Sequence, residues 1–286
     1  MFDLIQYGLS PDEFIKMALA EDLGDGDQTS LSTIDEGKKA IAKVKVKEDG
    51  IIAGIPVAVQ ILQCVDKALK VKIYTNDGAT VFNGNIVMEI EGNVRSLLQA
   101  ERLLLNCMQR MSGIATLTRK FVDAIKGTSA EILDTRKTTP NFRHFEKLAV
   151  RAGGGINHRF GLYDMILIKD NHVDASGGIT NALLKAQEYL LKTGKKLSIE
   201  IETRNIAEVE EVMKSNIAKR IMLDNFETED LTKAVKIINK KFETEASGGI
   251  TLSNAYSYAA TGVDYISVGA LTHSYKSLDI SMKISK

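Results

Sequence analysis

Apolar positions follow two different textures along this chain, which change over near residue 110. Leu9 to Leu23 has helical periodicity, with Ser10 placed as a cap and Pro11 at the first helical position. Period-two alternation follows. In Ala40 to Lys47, Ile41, Val44 and Val46 sit among lysines, and in Leu69 to Ile90 short apolar segments are separated by Asn76-Asp77-Gly78 and Asn83-Gly84-Asn85. These runs predict the strands and turns of an antiparallel α+β domain. An amphipathic stretch comes next, in which Leu97, Leu98, Leu104, Leu105, Met108 and Met111 recur at helical spacing before Gly113. It predicts a long helix bridging the two halves.

From Glu131 onward the texture becomes strand, loop, helix. Strands are predicted at Ile132 to Arg136, Met165 to Lys169, Leu197 to Ile201, Arg220 to Leu223, Glu243 to Ala246 and Tyr265 to Val268. Helical patterns at Ala182 to Leu191, Ala207 to Lys214 and Asp230 to Lys240 separate several of them, which implies a parallel sheet. Nearly every strand ends in polar or glycine residues: Arg136-Lys137, Lys169-Asp170-Asn171, Glu202, Asp224-Asn225, Ser247-Gly248-Gly249 and Gly269. A barrel collects its site from many carboxyl strand ends, whereas an open sheet concentrates it at one switch point. The expectation is therefore an α/β fold: an irregular, about six-stranded α/β barrel with an N-terminal α+β sandwich domain. The boundaries expected are residues 1–112 for the sandwich with its bridging helix, 113–275 for the barrel and 276–286 for a C-terminal segment.

A chain of 286 residues exceeds the size of one ordinary core, in keeping with two domains. Its formal net charge is zero, so nucleic acid or an anionic membrane surface has no global attraction for it. Cys64 and Cys107 lack a C-x-x-C partner, which fits reduced thiols better than a zinc or disulfide framework. Met1 to Ser10 does not resemble a signal peptide, and no apolar run approaches bilayer length. A cytoplasmic protein is expected.

Against zero net charge, the stretch from Asp134 to His172 is locally basic and holds three of the four histidines. It contains Thr135, Arg136, Lys137, Arg143, His144, Arg151, His158, Arg159 and Lys169, interrupted by an apolar strand and by Gly153-Gly154-Gly155. A solvated basic face requires neither interruption. Adjacent Arg and Lys at a strand end suit a small polyanion, since the guanidinium fork matches carboxylate and phosphate. Ser247-Gly248-Gly249 and Val268-Gly269-Ala270 end the last two predicted strands, where barrels bind phosphate on exposed backbone N–H groups. Glu200 and Glu202 share one strand face, so one lies deeper and the other nearer the rim. Glu202 and Asp224 could neutralise Lys137 or Lys169, or could face a developing cation or Mg²⁺-bound water. Arg102, beside Glu101 on the long helix, reads by position alone as an ordinary salt-bridge former.

Taken in order, several long motifs resemble the quinolinate phosphoribosyltransferases: Glu21-Asp22-Leu23-Gly24-Asp25-Gly26-Asp27, Glu101-Arg102, Asp134 through Pro140, Gly153 through Arg159, Lys169-Asp170-Asn171-His172, Leu223-Asp224-Asn225-Phe226, Ser247-Gly248-Gly249 and Val268 through His273. The resemblance implies transfer of phosphoribosyl from phosphoribosyl pyrophosphate to quinolinate with decarboxylation, and Mg²⁺ as cofactor. By that similarity Arg136, Lys137, His158 and Arg159 hold the quinolinate carboxylates, with Thr135 beside them. Lys169 meets phosphate, Glu202 and Asp224 sit by the ribose, and Ser247, Gly248, Gly249, Ser267, Val268 and Gly269 take phosphate groups. Lys137, Glu202 and Asp224 are the residues expected to carry catalysis. The resemblance further implies a homodimer, or a larger homo-oligomer, with Arg102 entering the neighbour's site. The loop Asn141-Phe142-Arg143-His144-Phe145 departs from the family pattern. Two other readings share the barrel: a molybdenum-transport-linked paralogue, and a non-catalytic phosphate-ligand sensor, which would lack Glu202 and Asp224.

Overall fold

The computed structural model describes residues 8–285, so Met1–Tyr7 of the N-terminal reading lie outside the described residues. The first half holds α1 (Pro11–Leu23), α2 (Gln28–Thr33), β1 (Lys39–Val46), β2 (Gly50–Ile51), α3 (Ile55–Val65), β3 (Lys70–Ile73), β4 (Thr80–Val81), β5 (Ile86–Asn93) and α4 (Val94–Ala124). The second holds β6 (Glu131–Leu133), α5 (Arg143–Gly153), β7 (Ile166–Ile168), α6 (Asp170–Ser176), α7 (Ile179–Thr193), β8 (Ile199–Thr203), α8 (Ile206–Ser215), β9 (Arg220–Asp224), α9 (Thr228–Ile238), β10 (Glu243–Ser247), α10 (Ala255–Ala259), β11 (Tyr265–Ser267), α11 (Ala270–His273) and β12 (Ile280–Ser285). Two compact units result. One takes the chain up to Arg119 together with Thr138–Gly154 and the stretch from Leu271 on; the other takes Lys120–Lys137 and Gly155–Ala270.

The first unit is built on an antiparallel sheet in the order β12-β1-β5-β3. Alternation in β1 buries Ala42, Val44 and Val46 and turns Lys43 and Lys45 outward. Ile41 therefore falls on the outer face, 42 % exposed, and Ala42 takes the inward position that the apolar count alone gave to Ile41. At α1 the Ser10 hydroxyl accepts from the Glu13 N–H at 3.3 Å while the Ser10 N–H donates to the Glu13 carboxylate at 2.8 Å. This reciprocal cap starts the helix where the sequence placed it. Ile15 and Leu19 are then buried, each contributing roughly 1.5–3 kcal/mol by leaving water. The Asp77 carboxylate in the first predicted turn accepts from the Gly54 and Ile55 N–H groups, both at 2.9 Å, and so caps α3.

α4 does not stop at Gly113 but continues to Ala124. A glycine inside a helix costs about 1 kcal/mol relative to alanine. Here a Cβ would lie 2.2 Å from the Lys276 carbonyl oxygen, so the backbone of residues 276–277 occupies that space. Gly153, which ends α5, is likewise a point of close approach: a Cβ would meet the Ala115 carbonyl oxygen and the Thr118 Cβ, both at 2.5 Å. The expected role of the glycine run, letting backbones come together, is met at its first member.

The second unit is the irregular α/β barrel, whose six strands pair in parallel in the order β6-β11-β10-β9-β8-β7. Every strand predicted in this half is present, at 3 to 5 residues. On the far side of β6 the Ile156 N–H donates to the Ile132 carbonyl at 2.8 Å and the Asp134 N–H donates to the Ile156 carbonyl at 3.1 Å. One bridged residue there stands in place of a further strand. α7, α8 and α9 cover the outside with Leu183, Val209, Val212, Leu231 and Ala234 buried.

Candidate active site

All six barrel strands run the same way, so their carboxyl ends share one rim. That rim collects Asp134 to Lys137 after β6, Lys169 after β7, Glu202 in β8, Asp224 ending β9, Ser247 ending β10 and Ser267 ending β11. Arg143, His144 and Arg151 of the basic stretch instead lie on α5, in the first unit. His144 is buried there against Phe145, with ring centroids 5.4 Å apart, and burial holds it below the ordinary histidine range. The stretch from Asp134 to His172 is thus divided between two units, and one part of it lies on the rim.

Asp134 fixes the geometry of this part. Its buried carboxylate accepts from the His158 N–H at 2.9 Å and from the Asn157 side-chain amide at 2.6 Å. The Thr135 hydroxyl accepts from the Lys137 N–H at 3.0 Å, which turns the chain so that Lys137 is exposed. Arg159 loses basicity first to burial and then to the neighbouring Arg136 charge. The Arg136 charge thus lies close enough to act on Arg159, a repulsion that a bound anion would offset. Across the rim, Lys169 Nζ lies 2.7 Å from Glu202 Oε2, and Glu202 is only 6 % exposed.

The phosphate-loop candidates differ in what they offer. Gly248 and Gly249 both have positive φ, +98° and +60°. A Cβ on Gly248 would come 2.1 Å from Asn225 Oδ1 and 3.0 Å from the Asn225 nitrogen. Asn225 is itself left-handed, donates from its side chain to Asp224 at 2.6 Å and from its backbone to the Ser247 carbonyl at 2.8 Å. It locks the β9 and β10 ends together, a role that sequence reasoning missed although Asn at a strand end favours that conformation. The Val268 N–H donates to the Leu133 carbonyl at 3.0 Å, so this amide is committed to the sheet and is not offered to a ligand.

Below the rim, inward-facing charges form a buried network that was only partly foreseen. His158 Nε2 lies 3.0 Å from Glu200 and 3.4 Å from Glu245, and Arg220 Nη1 lies 3.0 Å from Glu245. Arg220 also stacks on Tyr265, 4.1 Å from its ring centroid, and donates to Glu243 at 3.0 Å. Burial and the Arg159 N–H, 2.6 Å from Nδ1, both favour a neutral His158 ring. The two carboxylates outweigh them and push it up to about 9. Glu200 becomes harder to ionise, first through burial and then through the Glu245 charge. His158, Glu200 and Glu245 have the donor types of a metal site, but Arg220 already lies against those carboxylates. Glu245 and Arg220 escaped notice because their pairing depends on strand register: Glu200 lies opposite Arg220, and Glu243 pairs with Arg220 on the other side.

Arg102 is exposed on α4 in the first unit and borders a cavity of about 320 Å³ with Phe14, Cys107, Arg110 and Phe142. Among the described residues no helix is long and apolar enough to cross a membrane.

Two family models match nearly end to end: the quinolinate phosphoribosyl transferase C-terminal domain over residues 114–283 and the N-terminal domain over residues 27–112. The chain belongs to the quinolinate phosphoribosyltransferase family. Among its relatives, quinolinate phosphoribosyltransferase (decarboxylating) 2b, mitochondrial, of Nicotiana tabacum is 48 % identical over 288 residues, covering 95 % of this chain and 81 % of that protein. The probable nicotinate-nucleotide pyrophosphorylase (carboxylating) of Bacillus subtilis is 43 % identical over 265 residues, covering 93 % and 90 %. The crystal structure of NadC from Streptococcus pyogenes superposes with a TM-score of 0.92 at 38 % identity, covering 98 % of this chain and 99 % of that one. The family resemblance carried by the rim motifs therefore holds for the whole fold. For Mg²⁺, the all-oxygen donors Glu202 and Asp224 at the rim suit a hard cation that keeps water and phosphate oxygens among its ligands.

Proposed function

We infer that this enzyme transfers phosphoribosyl from phosphoribosyl pyrophosphate to quinolinate, giving nicotinate mononucleotide, pyrophosphate and CO₂. The observation that carries the reading is the Arg136 and Arg159 pair on the same rim as the Lys169–Glu202 ion pair. One half of the rim suits a dicarboxylate and the other a sugar phosphate. Arg136, Lys137 and Arg159 grip the two quinolinate carboxylates, while His158 lies beneath them with its Nε2 held by Glu200 and Glu245. Lys169, the loop at Ser247 to Gly249, and Ser267 and Gly269 on either side of the committed Val268 amide receive phosphate groups. Glu202 and Asp224 face the ribose. As the pyrophosphate bond lengthens, the ribose carbon gains oxocarbenium character, which these carboxylates stabilise. The quinolinate nitrogen, held by its carboxylate grip, bonds to that carbon. The positive ring nitrogen stabilises the electron pair left on the neighbouring ring carbon when the adjacent carboxylate departs as CO₂, and that carbon then takes a proton from solvent to give nicotinate mononucleotide.

Glu202 and Asp224 would help hold Mg²⁺ arriving with phosphoribosyl pyrophosphate, and the ion would supply charge neutralisation for the leaving group. The protein's own contribution is chiefly to place two polyanions together. A homodimer completes each site with Arg102 from the neighbouring copy, and the cytoplasm is the proposed location. Quinolinate-dependent CO₂ release in the presence of phosphoribosyl pyrophosphate and Mg²⁺ tests the activity; purified protein that releases none disproves it.

A further inference from the structure

We propose that Arg110 and Glu146 are positioning residues for the loop at residues 138–142, and through it for the quinolinate-gripping Arg136 and Lys137. The inference rests on the role given to that pair above. Glu146, on α5, has no exposed surface. Its two oxygens are divided: one accepts from Arg110 Nη2 at 2.9 Å and the other from the Thr139 N–H at 3.1 Å. The same Arg110 nitrogen donates to the Thr139 hydroxyl. One loop residue is therefore held by its backbone and its side chain at once.

The rest of the loop is tied to the same point. The Phe142 N–H donates to the Thr139 carbonyl at 3.1 Å, and the Glu146 N–H to the Phe142 carbonyl at 3.1 Å. Arg143 Nε donates to the Thr138 hydroxyl at 2.8 Å. Aromatic rings flank the Arg110 guanidinium, which stays partly exposed while Glu146 is fully buried. The Arg110 guanidinium lies 5.2 Å from the Phe142 ring and 5.3 Å from the Tyr275 ring, and Phe142 packs on Phe14 and Phe145 at 5.5 and 5.0 Å. Phe142 and Phe145 belong to the segment where the loop departs from the family pattern, so the departing residues build the wall of this clamp.

The pair is half-buried, since only Glu146 is out of water, and it stabilises the fold modestly; losing Arg110 would leave the buried carboxylate short of a partner. What this pair adds is direction. Thr139 is two residues from Lys137, so anchoring it sets the path by which the chain leaves Arg136 and Lys137. A displacement of about 1 Å at a substrate-holding group costs up to roughly 100-fold in rate or affinity.

Steady-state kinetics on the full chain test this, with quinolinate and phosphoribosyl pyrophosphate varied separately. Glu146→Ala is expected to raise KM for quinolinate roughly 10- to 100-fold, with KM for phosphoribosyl pyrophosphate changed by less than about threefold. Glu146→Gln keeps an acceptor for the Thr139 N–H and should recover part of the loss. An unchanged quinolinate KM, or equal rises in both KM values, overturns the proposal. Should Glu146→Ala not fold, Thr139→Val removes only the hydroxyl that Arg110 reaches, and an unchanged quinolinate KM there overturns it equally. If the unaltered enzyme releases no CO₂ from quinolinate, it is the underlying reading of the site that fails.

Discussion

Lys169 and Glu202 meet at 2.7 Å across the ends of β7 and β8, with the lysine half exposed and the carboxylate nearly covered. In the proposed function an incoming phosphate would compete for the lysine and so free the carboxylate to face the ribose. This coupling predicts that Glu202→Gln lowers kcat by roughly 10²–10³ while leaving both KM values near those of the unaltered enzyme. Single-turnover measurements at saturating substrates check it. A kcat within about twofold of the original would remove Glu202 from the chemical step.

Lys137 is exposed and turned outward by the Thr135 hydroxyl, whereas Arg136 lies partly covered beside Arg159. Lys137→Ala is expected to lower kcat/KM for quinolinate by roughly 10²-fold or more, with an unchanged thermal midpoint. Arg136→Ala should weaken quinolinate binding and also raise Arg159 basicity in part, because the repelling charge is gone while burial, the larger cause, remains. Calorimetric titration with quinolinate distinguishes loss of binding from loss of turnover.

Much of the barrel was legible because each short strand is an apolar run closed by polar residues, and a strand of that kind has few other places to go. The rim residues followed from the same ends. Three features were not legible for one shared reason, that each depends on long-range pairing. β12 returns to pair with β1, Ser281 opposite Lys45 and Ile280 opposite Val46, though nothing local marks its partner. Thr138–Gly154, the most basic part of the expected site, joins the first unit, where Glu146 and His144 are buried. Arg220 reads locally as an ordinary strand-edge charge, and only register sets it beside Glu200, Glu243 and Glu245.

Gly248 is the position at which the loop after β10 tolerates no side chain. With φ at +98° and the Asn225 nitrogen 3.0 Å from where a Cβ would sit, Gly248→Ala carries backbone strain of about 1–3 kcal/mol and pushes Asn225 away from Asp224. The expected result is a lower thermal midpoint and a raised KM for phosphoribosyl pyrophosphate, with quinolinate affinity retained. Equilibrium binding of each substrate alone reads the difference. Gly249→Ala, which meets nothing within 4 Å, should show only the milder cost of its φ.

His158 gives the fold a pH dependence of definite sign. Its value in the folded protein, about 9, lies above the ordinary 6.5 because Glu200 and Glu245 overcome the opposing effect of burial. A raised value means that the imidazolium stabilises the fold fully below pH 6.5, and that this contribution fades as pH rises through about 9. Thermal midpoints from about pH 6 to about pH 9.5 should therefore fall more steeply in the unaltered protein than in His158→Gln. Parallel curves would show that the buried carboxylates do not hold His158 charged.

Arg102 tests whether each site is complete within one chain. It is exposed on α4, beside a cavity bordered by Arg110 and Phe142, and among the described residues no ion pair joins it to an acid. An exposed arginine without a salt bridge gains little for its own fold, which makes its loss cheap for stability and informative about function. Arg102→Ala alone is expected to reduce turnover by roughly 10²-fold or more with an unchanged thermal midpoint. Mixing it with Glu202→Gln protein then separates the two arrangements. If Arg102 serves a neighbour, mixed dimers contain one site with both residues intact, and activity returns toward a quarter of the unaltered level on statistical reassociation. If Arg102 serves its own chain, every mixed dimer has one defect in each site and no activity returns.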